Sequence, residues 1–106
     1  MSVMLIWTLD VDPTRIDEVH ELVAARREQV QRHSCRDLRV YRVVDSTHDG
    51  IRMIAIEEFD SRGHLDAFRE SQPHDDEAQA TIAKTFAPIG PFTVIDMHTV
   101  EELEAP

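Results

Sequence analysis

One histidine and a set of aromatic side chains could do chemistry on a flat organic molecule. Histidine titrates near neutrality, so it is the natural general base among the side chains. His74 is the candidate because it follows Pro73 directly, between two helical stretches; it also begins a His-Asp-Asp-Glu run that would equally serve to cap a helix N-terminus. Stacking on aromatic rings would hold the substrate. The candidate rings, each of which could instead belong to a core, are those of Trp7, Phe59, Phe68 and Phe86.

Polar residues in the expected strands could orient an oxygen atom of the same substrate. The hydroxyl of Tyr41 could form a hydrogen bond with it, and Arg52 or Arg42 could hold it as an anion. Each residue has an alternative role in the fold. The tyrosine hydroxyl could lie at a sheet edge, and the arginines could pair with Glu57 or Glu58 across neighbouring strands.

Metal, thiol and phosphate chemistry have little support in the sequence. The histidines form no His-x-x-x-His or Glu-x-x-His pattern, and Asp96 with His98 would supply only two ligands. Cys35 is expected at a helix C-terminus, which would raise the pKa of its thiol. The glycines, at positions 50, 63 and 90, form no phosphate-binding loop. We therefore expect neither a metal nor a cofactor.

Four segments have the apolar patterning of β-strands. They are residues 3–9, 37–45, 51–59 and 92–100. The stretch 46–50 has turn chemistry and ends in Asp-Gly, so the second and third strands are expected to form a hairpin.

Helical spacing of apolar residues predicts a long helix over residues 13–33, with Pro13 at the first helical position. Proline suits that position because its missing N–H is not needed there. A second helix is expected in two pieces, residues 61–71 and about 75–87, because Pro73 interrupts it.

The resulting order of elements is β-α-β-β-α-β. This order builds a ferredoxin-like α+β sandwich, in which both helices pack on one face of a four-stranded antiparallel sheet. We expect a single domain over residues 1–100 and a loose acidic tail over residues 101–106.

Two strands are apolar without a break, at Met4–Trp7 and at Met53–Ile56. A half-exposed strand alternates between apolar and polar residues, so an unbroken one is expected to have both faces covered. The helices of a 106-residue chain can cover only one face of such a sheet. The sequence therefore predicts a homodimer that closes through the open sheet face.

Composition narrows the choice of partners and location. The net charge of −10, from 21 acidic and 11 basic residues, disfavours nucleic acids and anionic membranes. No apolar run approaches the roughly 18 to 20 residues that span a bilayer. The single cysteine cannot form an intrachain disulfide, and the first strand begins without a basic leader segment, so we expect a cytoplasmic protein.

Two stretches resemble the antibiotic biosynthesis monooxygenase-like members of the dimeric α+β barrel superfamily. In the first, Cys35 and Tyr41 fall where that family usually has the same residues. In the second, residues 57–60 (Glu-Glu-Phe-Asp) resemble the family's acidic-aromatic strand end, and the following helix closes with Ser71 and His74. The resemblance implies a dimeric α+β barrel, and it puts His74 where the family has a histidine on the pocket side.

The sequence also departs from the family pattern. Phe59 stands where the family usually has tryptophan, Phe68 where its short helix often has histidine, and Ser34 where it usually has glycine. The chain contains no asparagine, whereas haem-degrading members place one in the first strand. Haem degradation is therefore disfavoured.

The resemblance implies a cofactor-independent monooxygenase that acts on an aromatic polyphenol, a quinol or a polyketide-type small molecule. Such an enzyme removes a proton from the substrate, and the electron-rich anion then reduces O₂ directly within apolar walls that exclude water. Two alternatives stay open. One is a non-catalytic dimer that binds a small molecule, and the other is a cyclase or isomerase of the same superfamily.

Overall fold

A computed structural model describes residues 2–45 and 50–103. Its four strands form one antiparallel sheet in the order β2-β3-β1-β4. The strands are β1 (Val3–Val11), β2 (Asp37–Arg42), β3 (Ile51–Phe59) and β4 (Phe92–Glu101). The helices are α1 (Ile16–Gln31), α2 (Arg62–Ser71) and α3 (Asp76–Thr85). The predicted ferredoxin-like α+β fold is confirmed.

The helix ends follow local sequence signals. Pro13–Arg15 form a 3₁₀ turn ahead of α1, and Asp12 caps this turn by accepting a hydrogen bond from the Thr14 N–H. At the other end, Ser34 has a φ of 69°, in the left-handed region that favours glycine. Glycine adopts this conformation more easily than other residues do, which explains why the family usually has glycine at this position.

Several predicted boundaries are wrong. β1 continues to Val11 instead of ending at residue 9, α1 is α-helical over Ile16–Gln31 instead of 13–33, and α3 ends at Thr85 instead of about residue 87. β2 ends at Arg42 instead of residue 45, because Val44 is already 92% exposed and has left the sheet. β4 continues through Glu101, which the sequence analysis assigned to the tail. Glu101 pairs with Val3 in the sheet, and Arg62 of α2 donates two hydrogen bonds to its carboxylate, at 3.0 and 2.8 Å. Of the predicted turn and tail, residues 46–49 and 104–106 lie outside the described residues.

The core consists of two clusters on the helix-covered face of the sheet. The first cluster surrounds Phe59 and joins α1, β2 and α2. The second surrounds Val19 and joins α1 to the last residues of β1 and the first residue of β4. Trp7 and Ala55, which face each other across β1 and β3, pack against both clusters. A space between the two clusters is therefore bounded by the middle of the sheet.

The other face of the sheet carries a second set of apolar residues. Ile6 lies opposite Ile56, and Ile54 lies opposite Thr8, in the register that joins β1 to β3. These side chains are only partly buried.

Within residues 2–45 and 50–103, no helix is both long enough and apolar enough to cross a membrane.

Candidate active site

A cavity of about 340 Å³ lies between the sheet and the three helices. Its walls are largely apolar, as in pockets that bind small organic molecules. Side chains from β1, α1, β2, α3 and the start of β4 contribute to the lining, among them Leu5, Leu22, Val40, Ile82 and Phe92.

Among the described residues, four aromatic rings line this cavity, those of Trp7, Phe68, Phe86 and Phe92. Trp7 and Phe86 stack with their ring centroids 6.1 Å apart and their planes inclined by 28°. Phe68 of α2 and Phe92 of β4 supply the other two rings. Aromatic rings arranged in this way offer flat apolar surfaces to a flat ligand.

The polar centre of the cavity is Glu57 of β3, whose side chain is only 5% exposed. The indole N–H of Trp7 donates a 3.0 Å hydrogen bond to Glu57 Oε1, and Arg26 Nη2 lies 3.5 Å from Glu57 Oε2. Burial raises the pKa of Glu57 above the usual glutamate range, while the charge of Arg26 and the bond from Trp7 act in the opposite direction. A carboxyl with a raised pKa is suited to proton transfer near neutral pH.

Arg26 of α1 is held by contacts with the turn and helix across the cavity. Its Nη2 donates a 2.6 Å hydrogen bond to Gln72 Oε1, and its guanidinium carbon lies 5.6 Å from the centroid of the Phe68 ring. Its Nη1 is buried and has no hydrogen-bond partner among the residues that the structure describes. The cavity thus combines one buried carboxyl, one fixed cation and aromatic walls.

Metal and thiol chemistry have no comparable arrangement in the described part of the chain. No group of three or more His, Cys, Asp or Glu side chains there is placed to hold a metal ion. Cys35 is buried, and its pKa is raised to about 12. The main cause is burial, with a contribution from the Glu57 charge, and not the helix C-terminus that the sequence analysis invoked. Such a thiol stays protonated and is a poor nucleophile.

The family model for antibiotic biosynthesis monooxygenases matches residues 2–83. The chain belongs to this family. Its members are typically dimeric. No curated protein matches the sequence significantly.

Solved structures share the fold of this antibiotic biosynthesis monooxygenase family member at low sequence identity. Rv0793 from Mycobacterium tuberculosis is 21% identical with a TM-score of 0.61, and the match covers 99% of this chain and 98% of that one. A conserved protein from Methanosarcina mazei is 14% identical with a TM-score of 0.69, over 97% and 94% of the two chains. SnoaB, a cofactor-independent oxygenase from Streptomyces nogalater, is 14% identical with a TM-score of 0.66, over 98% and 95%.

The cavity of this family member contains some of the residues that the sequence analysis proposed. Trp7, Phe68 and Phe86 all line it. Phe59 lies instead in the core, where it is fully buried and meets Phe68 edge-on with ring centroids 5.0 Å apart. Phe59 therefore supports one wall of the cavity without lining it.

The remaining proposed residues lie away from the cavity. Tyr41 is 51% exposed and pairs with Ile54 in the sheet. Arg52 Nε donates a 3.1 Å hydrogen bond to Asp10 Oδ1, directly across the pair of strands β1 and β3. Arg52 therefore pairs with an acidic residue on a neighbouring strand, although this residue is Asp10 and not Glu57 or Glu58. His74 is exposed in a 3₁₀ turn between α2 and α3 and does not line the cavity. Its catalytic role stays a prediction.

Arg26 and Glu57 were not among the predicted site residues, although both leave a signal in the sequence. Arg26 lies three residues after Val23 and four before Val30, so it falls within the apolar stripe of α1. Glu57 alternates with Ala55 and Phe59, so it shares their helix-covered face. A charged residue on an expected core face is therefore a candidate for a buried functional site.

The turn that carries Gln72 is fastened to the end of α1 by a polar cluster. The ring of His33 has Nδ1 2.9 Å from Ser71 Oγ and Nε2 2.6 Å from Asp75 Oδ2. Arg32 Nη2 donates a 2.9 Å hydrogen bond to the same Asp75 oxygen. Because Gln72 lies between Ser71 and Asp75, these bonds hold the residue that positions Arg26.

We expect Asp75→Asn to destabilise the protein in a manner that depends on pH. Hydrogen bonds from His33, the Ala78 N–H and Arg32 lower the pKa of Asp75 below its usual range. The ionised carboxylate therefore stabilises the fold fully above the unfolded-state value of about 3.9, and this contribution is lost as the pH falls toward the lower folded-state pKa. Urea unfolding at pH 5, 4, 3 and 2 should give a difference between wild type and variant that shrinks with acidification.

The exposed neighbour Asp76 provides the control for this experiment. Asp76→Asn should have a small effect with little dependence on pH over the same range. An Asp75→Asn effect that stays constant from pH 5 to pH 2 would show that the charge of Asp75 does not stabilise the turn.

Proposed function

We propose that this protein is a cofactor-independent monooxygenase that oxygenates a flat phenol or quinol inside the cavity. The observation that carries the proposal is the placement of Glu57, a buried carboxyl with a raised pKa that opens onto aromatic walls. Membership of the antibiotic biosynthesis monooxygenase family supports a monooxygenase-like role. The shared fold with a cofactor-independent oxygenase from Streptomyces nogalater supports it further.

In this proposal Glu57 acts as the general base. Its carboxylate takes the proton of a phenolic hydroxyl, which breaks the O–H bond and leaves an electron-rich anion against the rings of Trp7 and Phe86. The anion reduces O₂ directly. With anthrone, the proton that Glu57 takes comes from the reacting carbon. One oxygen atom of O₂ then enters that carbon as a carbonyl, and the second leaves as water with the two hydrogens that the carbon loses. The apolar walls exclude bulk water from these steps.

Oxygen consumption with anthrone tests the proposal. We expect purified protein to consume one O₂ for each anthraquinone formed, at a rate well above that in buffer alone. Uptake no faster than in buffer with anthrone and with simple quinols would count against the proposed activity. Recovery of an unchanged ligand that raises the melting temperature would favour the non-catalytic binding protein, and conversion under nitrogen would favour the cyclase or isomerase.

His74 remains the second candidate for the base, on the grounds of the family resemblance. Its exposed position makes it the less favourable of the two, because a general base must lie within hydrogen-bond reach of the proton it removes. Separate substitution of His74 and Glu57 distinguishes the candidates.

We also propose that the protein forms a homodimer through the open sheet face, where Ile6 and Ile56 lie side by side. Apolar residues at the centre of a sheet face support this arrangement, as does the usual dimeric state of the family. Ile56→Glu would put an unpaired charge at the centre of the interface. We therefore expect the dissociation constant of the dimer to rise at least about 100-fold. Analytical ultracentrifugation measures this effect.

The control for that experiment is Ile89→Glu, a charge introduced at a loop position that is already 68% exposed. It should leave the association state unchanged. A wild-type protein that stays monomeric at micromolar concentration would refute the dimer.

A cytoplasmic location belongs to the same proposal. It is supported by Cys35, a lone and buried cysteine that has no second thiol in the sequence with which to form an intrachain disulfide.

A further inference from the structure

We propose that the cavity selects ligands that bind as oxyanions, in which a phenolate or enolate oxygen replaces Glu57 as the partner of Arg26. The ligand class is then a flat apolar molecule with one acidic hydroxyl group. This inference rests on the proposed function for the location of the site, but it concerns binding and does not require oxygen.

The first observation is the incomplete pairing of the Arg26 guanidinium. Its Nη2 is shared between Gln72 Oε1, at 2.6 Å, and Glu57 Oε2, at 3.5 Å. The second distance is long for a bond between charged groups, which is usually about 2.7 to 2.9 Å. Its Nη1 is buried and has no acceptor among residues 2–45 and 50–103. A buried donor without a partner costs free energy, so the guanidinium has hydrogen-bonding capacity that the described residues leave unused.

The second observation is the charge of the lining. The charged side chains among the described residues that line the cavity are Arg26, Arg69 and Glu57, so positive charge is in excess by one. The whole chain has a net charge of −10. A positive cavity in an acidic protein favours an anionic ligand over a neutral or cationic one.

The third observation is that Arg26 is fixed before any ligand arrives. Phe68 packs against its guanidinium, and Gln72 accepts its short hydrogen bond. The turn that carries Gln72 is itself tied to α1 through His33. A cation held in this way can bind an anion without losing further conformational freedom.

Proton transfer to Glu57 makes anion binding possible without adding a buried charge. A neutral hydroxyl ligand enters while Arg26 is positive and Glu57 is negative. The ligand O–H bond breaks, an O–H bond forms on Glu57, and the new oxyanion pairs with Arg26. The site holds the same total charge before and after the step, so the low-dielectric cavity accepts the exchange.

The pair 7-hydroxycoumarin and 7-methoxycoumarin tests the inference under nitrogen. The two molecules have the same flat ring system, and the phenol and phenolate forms of the first have different absorption and fluorescence spectra. At a pH where free 7-hydroxycoumarin is a phenol, we expect the bound molecule to show the phenolate spectrum. We also expect its dissociation constant to be at least about tenfold lower than that of the methyl ether, which cannot ionise.

Substitutions then assign the effect to the ion pair. Arg26→Gln should abolish the phenolate spectrum and the preference for the hydroxyl compound, whereas Arg26→Lys should keep part of both because the positive charge remains. Glu57→Gln should bind the preformed phenolate about tenfold more tightly than wild type at high pH, because the competing carboxylate is gone. Arg36→Gln, at an exposed position outside the cavity, is the control.

Binding of the methyl ether reports whether the cavity is intact in each variant. Equal affinity for the two coumarins, a phenolate spectrum that survives in Arg26→Gln, or failure of wild type to bind either coumarin would overturn the inference. Anthrone oxidation is measured separately, so a phenolate-binding cavity without oxygen uptake would refute the proposed function and leave the inference standing. Oxygen uptake without phenolate binding would refute the inference and leave the proposed function standing.

Discussion

Glu57→Gln is expected to lower kcat/KM for oxygen uptake by about 100- to 1000-fold near neutral pH, which is the usual contribution of a general base. Glutamine keeps the shape of the side chain and can still accept the hydrogen bond from Trp7, so the loss would come from proton transfer. In wild type, activity should fall as the pH drops through the pKa of Glu57. Because burial raises that pKa, the fall should begin above the usual glutamate range.

The matched comparison is His74→Ala, measured in parallel with oxygen-electrode kinetics. Activity close to wild type in His74→Ala, together with loss in Glu57→Gln, would assign the base to the cavity. The opposite outcome would restore the prediction from the family resemblance. Glu57→Gln should also regain activity at a pH high enough for the substrate to ionise in solution, while a third variant, Glu21→Gln at an exposed position on α1, should match wild type throughout.

Phe59→Ala is expected to have the largest effect on stability, with a loss of about 3 to 5 kcal/mol in the free energy of unfolding. Phe59 is among the largest fully buried side chains, and it belongs to the core cluster that joins α1, β2 and α2. Its removal would also take away the edge-on contact that supports the Phe68 ring at the cavity wall. Urea unfolding at a fixed protein concentration measures the change.

Ile89→Ala serves as the control, because Ile89 is 68% exposed in the loop before β4. Its effect should stay within about 0.5 kcal/mol. A loss of less than about 1 kcal/mol for Phe59→Ala would mean that the core closes around the missing ring, contrary to the usual cost of a buried aromatic.

The sequence predicted the order of the elements because periodicity and turn chemistry are local properties. Residues 51–59 contain the unbroken apolar run Met53–Ile56 and follow a turn signal, and the structure has a strand with the same bounds. The errors occur where distant contacts decide. Glu101 joins β4 because Arg62, on α2, binds its carboxylate, and no local pattern around Glu101 indicates that partner.

The candidate site was predicted in its apolar part and missed in its polar part. Trp7 and Phe86 could be chosen by residue type alone, since large rings on core-facing strands and helices line any cavity between them. Arg26 and Glu57 are 31 residues apart, so their pairing depends on how α1 packs against β3. The spacing of Arg26 places it on the apolar stripe of α1, but nothing local to that helix indicates its partner.

A crystal structure of the protein with anthrone or a quinol, prepared under nitrogen, would test the location of the site most directly. We expect the ligand to lie against the rings of Trp7 and Phe86, with its carbonyl or hydroxyl oxygen within hydrogen-bond distance of Glu57 or Arg26. A ligand bound beside His74, or on the open sheet face with the cavity unoccupied, would contradict the proposed site.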